Sequence, residues 1–190
     1  GINSLFDKNL DQNIALLPVG TSAKISYYAS MLSNNDLKTV ALLDSDSAGD
    51  KAAQQEVVVH ALGTKNILRT KEFLSREIKN SEIEDIIRET LASIFFTEYA
   101  IQISSEDLAS NKAIVDIFKK ADPKFSKFKL SKAFLNWARE HSSKDLTQDE
   151  LDIAWDKYIA PLLTEYLRSI VEQHEIPKKL EKAQKIFKLK

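Results

Sequence analysis

The chain is expected to be an α/β protein: a parallel sheet with flanking helices, followed by a mostly α-helical C-terminal part. Two observations predict this. Over the first seventy residues short apolar runs alternate with helical patterns, and beyond about residue 81 apolar residues recur almost entirely at helical spacing. A strand–helix–strand–helix–strand order joins parallel strands through crossovers and covers both sheet faces with helices.

Residues 13 to 19 (NIALLPV) read as a buried strand with Pro18 at its end, since proline cannot donate to a ladder. Gly20-Thr21-Ser22 is a turn into a helix over 23–32, whose Ile25, Tyr28, Ala29 and Leu32 share one face. A polar loop, 33–36, leads to a second strand over 38–43, which runs into Asp44-Ser45-Asp46-Ser47-Ala48-Gly49-Asp50. A helix to about Leu62 and a short strand at 66–68 complete the α/β part. Ile83, Ile86, Ile87, Thr90, Leu91, Ile94 and Phe95 then predict a helix, with Ser81 and Glu84 as its capping box. Further helices are expected over 108–120, 130–140 and 151–171, with a break at Asp122-Pro123. Thr147 and Glu150 form a capping box before the last, and Pro161 is expected to kink it. The organisation expected is an α/β core over 1–80, helices over 81–176 and a basic segment over 177–190.

Composition narrows the chemistry. There are 190 residues, 43% of them hydrophobic and 29% charged, enough apolar material for a core. The absence of cysteine excludes disulfides, zinc–thiolate and iron–sulfur sites and cysteine nucleophiles. His60, His141 and His174 are far apart and make no ligand motif, so any metal is expected to be hard and oxygen-bound. A net charge of −1 gives no global attraction to nucleic acid, so a phosphate-binding surface must be local. The N-terminus lacks a signal-peptide pattern, and no apolar run approaches the roughly 20 residues of a membrane span, so a cytoplasmic protein is expected. The chain opens on Gly1 rather than Met, as a piece of something longer would.

The segment Val40–Asp46 carries the chemistry. Ligands of open parallel sheets bind beyond the carboxyl ends of strands. Asp44 ends the second strand and Asp46 follows in the loop, so both carboxylates can converge on one divalent cation, which can orient a phosphate and stabilise charge on attacking and leaving oxygens. Gly49 allows a tight turn into the next helix. A plainer alternative stands beside this reading: Asp46 or Ser47 caps that helix, and Asp50 complements its dipole.

The run ALLPVGTSAKISYYASMLSNNDLKTVALLDSDSAGDKAA resembles the central part of a Toprim (Rossmann-like) domain. Its features are a glycine-containing turn after an apolar strand, a helix, and then strand–DxD–xxG at 44–49. The wording LLPVG…VALLDSD, followed by an acidic segment and a helical tail, is most similar to the OLD family of ATP-dependent nucleases, over roughly residues 10 to 90. The resemblance implies a DNA endonuclease that hydrolyses phosphodiesters with Mg²⁺ or Mn²⁺. It also implies an upstream ABC-type ATPase domain in the parent chain, through which alone ATP would act, and a role in defence against phage. It gives Asp44 and Asp46 as metal ligands and as catalytic groups, with Ser45 between them able to add an oxygen. Glu82, Glu84 and Asp85 become candidates for a second metal, although acids also belong in a first helical turn. Lys132 is implied as the lysine near a helix start that stabilises charge on the phosphate, with Lys127 and Lys129 as competitors. The family's first strand and its glutamate have no counterpart. Asp7 and Asp11 stand in the wrong context to replace it, so the fragment alone is expected to be inactive and its sheet to lack a central strand.

Two other classes of function remain open. One is a non-catalytic Toprim-like module for homodimerisation or partner docking, supported by the apolar stripe from Leu151 to Val171. The other is a piece of a Toprim primase or topoisomerase, disfavoured by the missing zinc-binding cysteines. Trp137, Trp155, Tyr158 and Tyr166 could stack on bases, but at helical spacing they are expected in the core. The C-terminal lysines, Lys178 to Lys190, could touch DNA phosphates or simply form a docked or frayed tail.

Overall fold

The computed structural model describes residue 5 and residues 14–35 and 37–153. Over these the protein is mixed α/β and mostly helical, with one small parallel sheet. The elements are α1 (Ile25–Ser33), β1 (Ala41–Leu43), α2 (Ser47–Ala53), α3 (Glu56–Leu62), β2 (Ile67–Arg69), α4 (Arg88–Tyr99), α5 (Ser105–Ala109), α6 (Ile114–Ala121), α7 (Lys127–Glu140) and α8 (Gln148–Leu151). β1 pairs with β2 in parallel, Ala41 opposite Ile67 and Leu43 opposite Arg69.

The strand alternation splits the core in two. Ala41, Leu43 and Ile67 join Ile25, Ala29, Ala52, Val58 and Leu62 in one cluster, so α1, α2 and α3 pack on that side. Leu42 and Leu68 point the other way, onto a larger cluster built from Phe73, Ile86, Leu91, Phe95, Ile114, Phe118, Leu130 and Phe134. In its centre Phe95 stacks on Phe118 with ring centroids 4.3 Å apart, and Phe125 closes over both. Each strand is thus apolar on both faces, as parallel strands covered by helices are.

Several expectations are corrected. Residues 14–19 run without ladder partners, leaving Leu16 and Leu17 70% and 51% exposed, so the described sheet has two strands, not three. The turn after them is as expected: Gly20 has φ +81°, which disfavours any side chain. The helix expected to run to Leu62 is broken at Gln54-Gln55 into α2 and α3. Residues 83–87 form a 3₁₀ turn before α4. The expected capping box shifts by one residue: Asp85, not Glu84, reaches back, accepting the N–H of Glu82 at 2.9 Å. The helix expected over 108–120 is α5 and α6 with a link between them, and α7 begins three residues earlier than the expected Leu130 because Ser126 caps it. The Asp122-Pro123 break and the Thr147–Glu150 capping box are present.

The link between α5 and α6 has a physical cause in Arg88, which is 1% exposed. Its guanidinium donates to the carbonyls of Asp107, Leu108, Ser110 and Lys112 and to Asp85 Oδ1. The carbonyls of Leu108, Ser110 and Lys112 are thus taken by a side chain, while that of Asp107 also accepts the Ser110 N–H at the end of α5. A second long-range polar tie lies at α8, where the buried carboxylate of Glu150 accepts the N–H and hydroxyl of Thr90 at 2.8 and 2.7 Å.

The expected stripe over 151–171, with Trp155, Tyr158, Pro161 and Tyr166, falls almost wholly outside the described residues. So do Asp7, Asp11, His174 and the basic segment over 177–190. Trp137 is half-buried, stacked between Phe134 and His141, and His141 Nδ1 lies 2.8 Å from the Trp137 carbonyl.

Candidate active site

The carboxyl end of β1 is where the candidate residues meet. Asp44 follows the last strand residue, and its carbonyl accepts a 2.7 Å hydrogen bond from Arg69 Nη2, at the end of β2. Arg69 also pairs with Asp50 in α2 at 2.8 Å. α2 therefore packs tightly against the strand end, and this explains Gly49 better than a turn does. A Cβ at Gly49 would lie 2.0 Å from the Asp44 carbonyl oxygen, so no side chain fits.

Asp46 caps α2, its Oδ1 accepting the Gly49 N–H at 2.7 Å. The plainer alternative for this residue thus holds. Ser45 is turned toward β2. Its Oγ accepts the Lys71 N–H at 2.9 Å and lies 3.1 Å from Thr70 Oγ1. This places its hydroxyl in a neutral network rather than among the acids.

The same network brings in the second acidic segment. The Ser45 N–H bonds the Ser81 carbonyl at 2.8 Å, and Thr70 Oγ1 donates to that carbonyl at 2.7 Å. Ser81 and Thr70 are fully buried. The chain after Ser81 consequently passes beside Asp44, and the Ile83 N–H reaches Asp44 Oδ1 at 3.3 Å. Glu82 and Glu84 flank that contact. Asp85 does not join them: it is 3% exposed and its oxygens take the N–H groups of Glu82 and Ile114 and the Arg88 guanidinium.

Lys127 closes the cluster from the first turn of α7. Its Nζ lies 2.9 Å from Glu84 Oε1 and 3.1 Å from Glu82 Oε2. Lys132, favoured from the sequence, is five residues further along α7, exposed, with no ion pair among the described residues. The lysine at the start of α7 is Lys127. The signal for it was Ser126, a good N-cap residue that moves the helix start forward.

The electrostatics follow the geometry. Burial raises the Asp44 carboxyl above its ordinary value, and the Glu84 charge raises it further, while Lys127 and the Ile83 N–H pull it back. Burial also raises Glu82, partly offset by its hydrogen bond and charge interaction with Lys127. Burial pulls the Lys127 ammonium down, but its hydrogen bonds and attraction to Glu84 and Glu82 outweigh this and hold it above the usual lysine value.

Among the described residues no three His, Asp or Glu side chains form a ready coordination shell; the cation that Glu82 and Glu84 share is the Lys127 ammonium. The donor set nevertheless suits a hard cation, being carboxylate oxygen throughout. One atom in it lacks a partner: Glu84 Oε2 is buried and makes no hydrogen bond. Beside the cluster a cleft of about 380 Å³ is lined by Gly20, Thr21, Ser22, Leu43, Asp44 and Asp46 among others.

Compared with protein families, with curated proteins and with solved structures, the chain matches none.

Proposed function

We propose that this chain is the Toprim-like, metal-dependent DNA endonuclease part of an OLD-type ATPase–nuclease. The observation that carries the reading is the meeting of Asp44, Glu82, Glu84 and Lys127, from three segments remote in sequence, at the carboxyl end of β1. Lys127 pairs with two of these carboxylates and the third, Asp44, lies within their electrostatic reach; burial holds the Asp44 and Glu82 carboxyls above their ordinary values, as at many active sites.

In this reading Asp44 and Glu84 hold Mg²⁺ or Mn²⁺, with Asp46 and Glu82 at its margin. When bound, the cation polarises the phosphoryl oxygens and neutralises charge as the phosphodiester is attacked. Lys127, paired with Glu82 and Glu84, is the ammonium that would donate to a phosphate oxygen were a cation to take its place among the acids. Arg69 holds the Asp44 backbone still, and Thr70 fixes the distance between the two acidic segments. ATP, a partner ATPase domain and a role in phage defence belong to this proposal through the family resemblance. The docking alternative keeps one observation in its favour, the exposed Leu16, Leu17, Leu37 and Val40 near the sheet.

The test is Mn²⁺ titration by calorimetry. Wild type should bind one or two ions per chain, Asp44→Ala/Glu84→Gln should bind none, and Lys127→Met should bind at least as tightly as wild type. In the longer parent protein Lys127→Met should then lose cutting by about a hundredfold or more, as loss of a charge-stabilising donor does. Failure of wild type, folded and joined to its parent, to bind Mn²⁺ would leave the docking module as the better reading.

A further inference from the structure

We infer that the outer face of α7 is a track for single-stranded DNA, with Phe128 as a base-stacking platform next to the acidic cluster. This deepens the nuclease reading by naming its substrate class, and rests on that reading only for what happens after binding.

Phe128 is the most exposed large apolar side chain among the described residues, at 79%, and it directly follows Lys127. The buried face of α7 is supplied by Leu130, Ala133, Phe134 and Ala138. Phe128, Lys132, Leu135 and Arg139 are spaced four, three and four residues apart, so they line one stripe on the outward side, ~16 Å long. Leu135 in that stripe is 48% exposed.

The charge on this surface is local and one-sided. Along α7 itself Lys127, Lys129, Lys132 and Arg139 stand against one acid, Glu140 at its last residue, in a chain whose net charge is −1. Lys124, Lys129 and Lys132 are exposed and make no ion pair among the described residues. An apolar protein partner would complement Phe128 and Leu135 but would leave these ammonium groups to be desolvated without a counter-charge. A polyanion with exposed π-faces complements both features. Single-strand binders combine basic tracks with aromatic platforms in this way. A duplex keeps its bases stacked inside and offers Phe128 nothing to stack on, so the occupant is a single strand or a frayed end.

The experiment is fluorescence anisotropy of the 190-residue chain with a labelled 20-mer of thymidylate and with a duplex of equal length, in EDTA. Binding read without metal separates this inference from the nuclease reading, which stands or falls on Mn²⁺ titration and cutting. The single strand should bind more tightly than the duplex. Phe128→Ala should weaken single-strand binding at least about fivefold, Phe128→Trp should restore it, and duplex binding should barely change. Lys129→Gln/Lys132→Gln should lower the slope of log affinity against log salt by about 1.4, from two lost phosphate contacts. All these side chains are exposed, so unchanged circular dichroism is expected of each variant. Equal single-strand affinity of wild type and Phe128→Ala, preference for the duplex, or no binding at low salt would each overturn the inference.

Discussion

Replacing Arg88 with methionine should cost more stability than any surface change in this protein. The substitution keeps an unbranched apolar stem and removes the guanidinium. Four carbonyls, of Asp107, Leu108, Ser110 and Lys112, then lose a donor, and Asp85 loses its ionic partner. At a net ~0.5–1.5 kcal/mol per hydrogen bond, the four carbonyls alone give about 2–6 kcal/mol. Breaking a buried ion pair from one side costs ~3–5 kcal/mol, and the side chains here are 2% and 0% exposed. The two routes count the same event and agree on about 3–5 kcal/mol. The assay is urea unfolding followed by circular dichroism, with Asp85→Asn and the double variant completing a cycle. A coupling of ~1–3 kcal/mol between the sites is expected. The pH dependence has a definite sign. Burial raises the Asp85 carboxyl and Arg88 lowers it, so losing Arg88 lifts it further. The penalty of Arg88→Met should therefore be largest at neutral pH and shrink as acid protonates Asp85. Because Asp85 also holds the Glu82 N–H, Mn²⁺ affinity should fall in parallel. A stability within about 1 kcal/mol of wild type at pH 7 would refute the reasoning.

Two other expectations concern the strand end. Gly49→Ala should destabilise by about 1–3 kcal/mol, read as a lower thermal midpoint, because a Cβ would stand 2.0 Å from the Asp44 carbonyl oxygen and α2 must shift. Asp44→Asn should raise the thermal midpoint at neutral pH. A carboxyl whose folded-state value is raised contributes stability below its unfolded value, 3.8, and loses it as pH rises through the folded value, so the gain from Asn should vanish at pH 3.5.

How much of this was legible depended on whether a feature was local. β1 and Asp44 could be read because an apolar run stops abruptly at Asp-Ser-Asp, and α2 because Asp46 is a good cap. Residues 14–19 misled for the opposite reason. Their apolarity suits a strand, but a strand is made by a partner, and none of the described residues pairs with them. The continuous helix expected over 108–120 failed because Arg88, some twenty residues away, takes the carbonyls a helix would need. In the cluster, Asp44, Glu82 and Glu84 were named from the sequence, while Asp85 was lost to Arg88 and Ser45 to Thr70. Lys127 was passed over for Lys132 because the exposed Phe128 hides the apolar period at the start of α7, although Ser126 marks it.

The Thr70 hydroxyl, buried between Ser45 and Ser81, has a bearing on how the acids respond to their surroundings. The spacing between Asp44 and the Glu82–Glu84 segment is set by uncharged hydrogen bonds to the Ser81 carbonyl. Lys127, half-exposed, contributes through charge. Salt screens the second and not the first. Raising ionic strength should therefore loosen the lysine while the carboxylates keep their separation, so that the protein holds its negative groups like a jig whose clamp can be released without moving the workpiece.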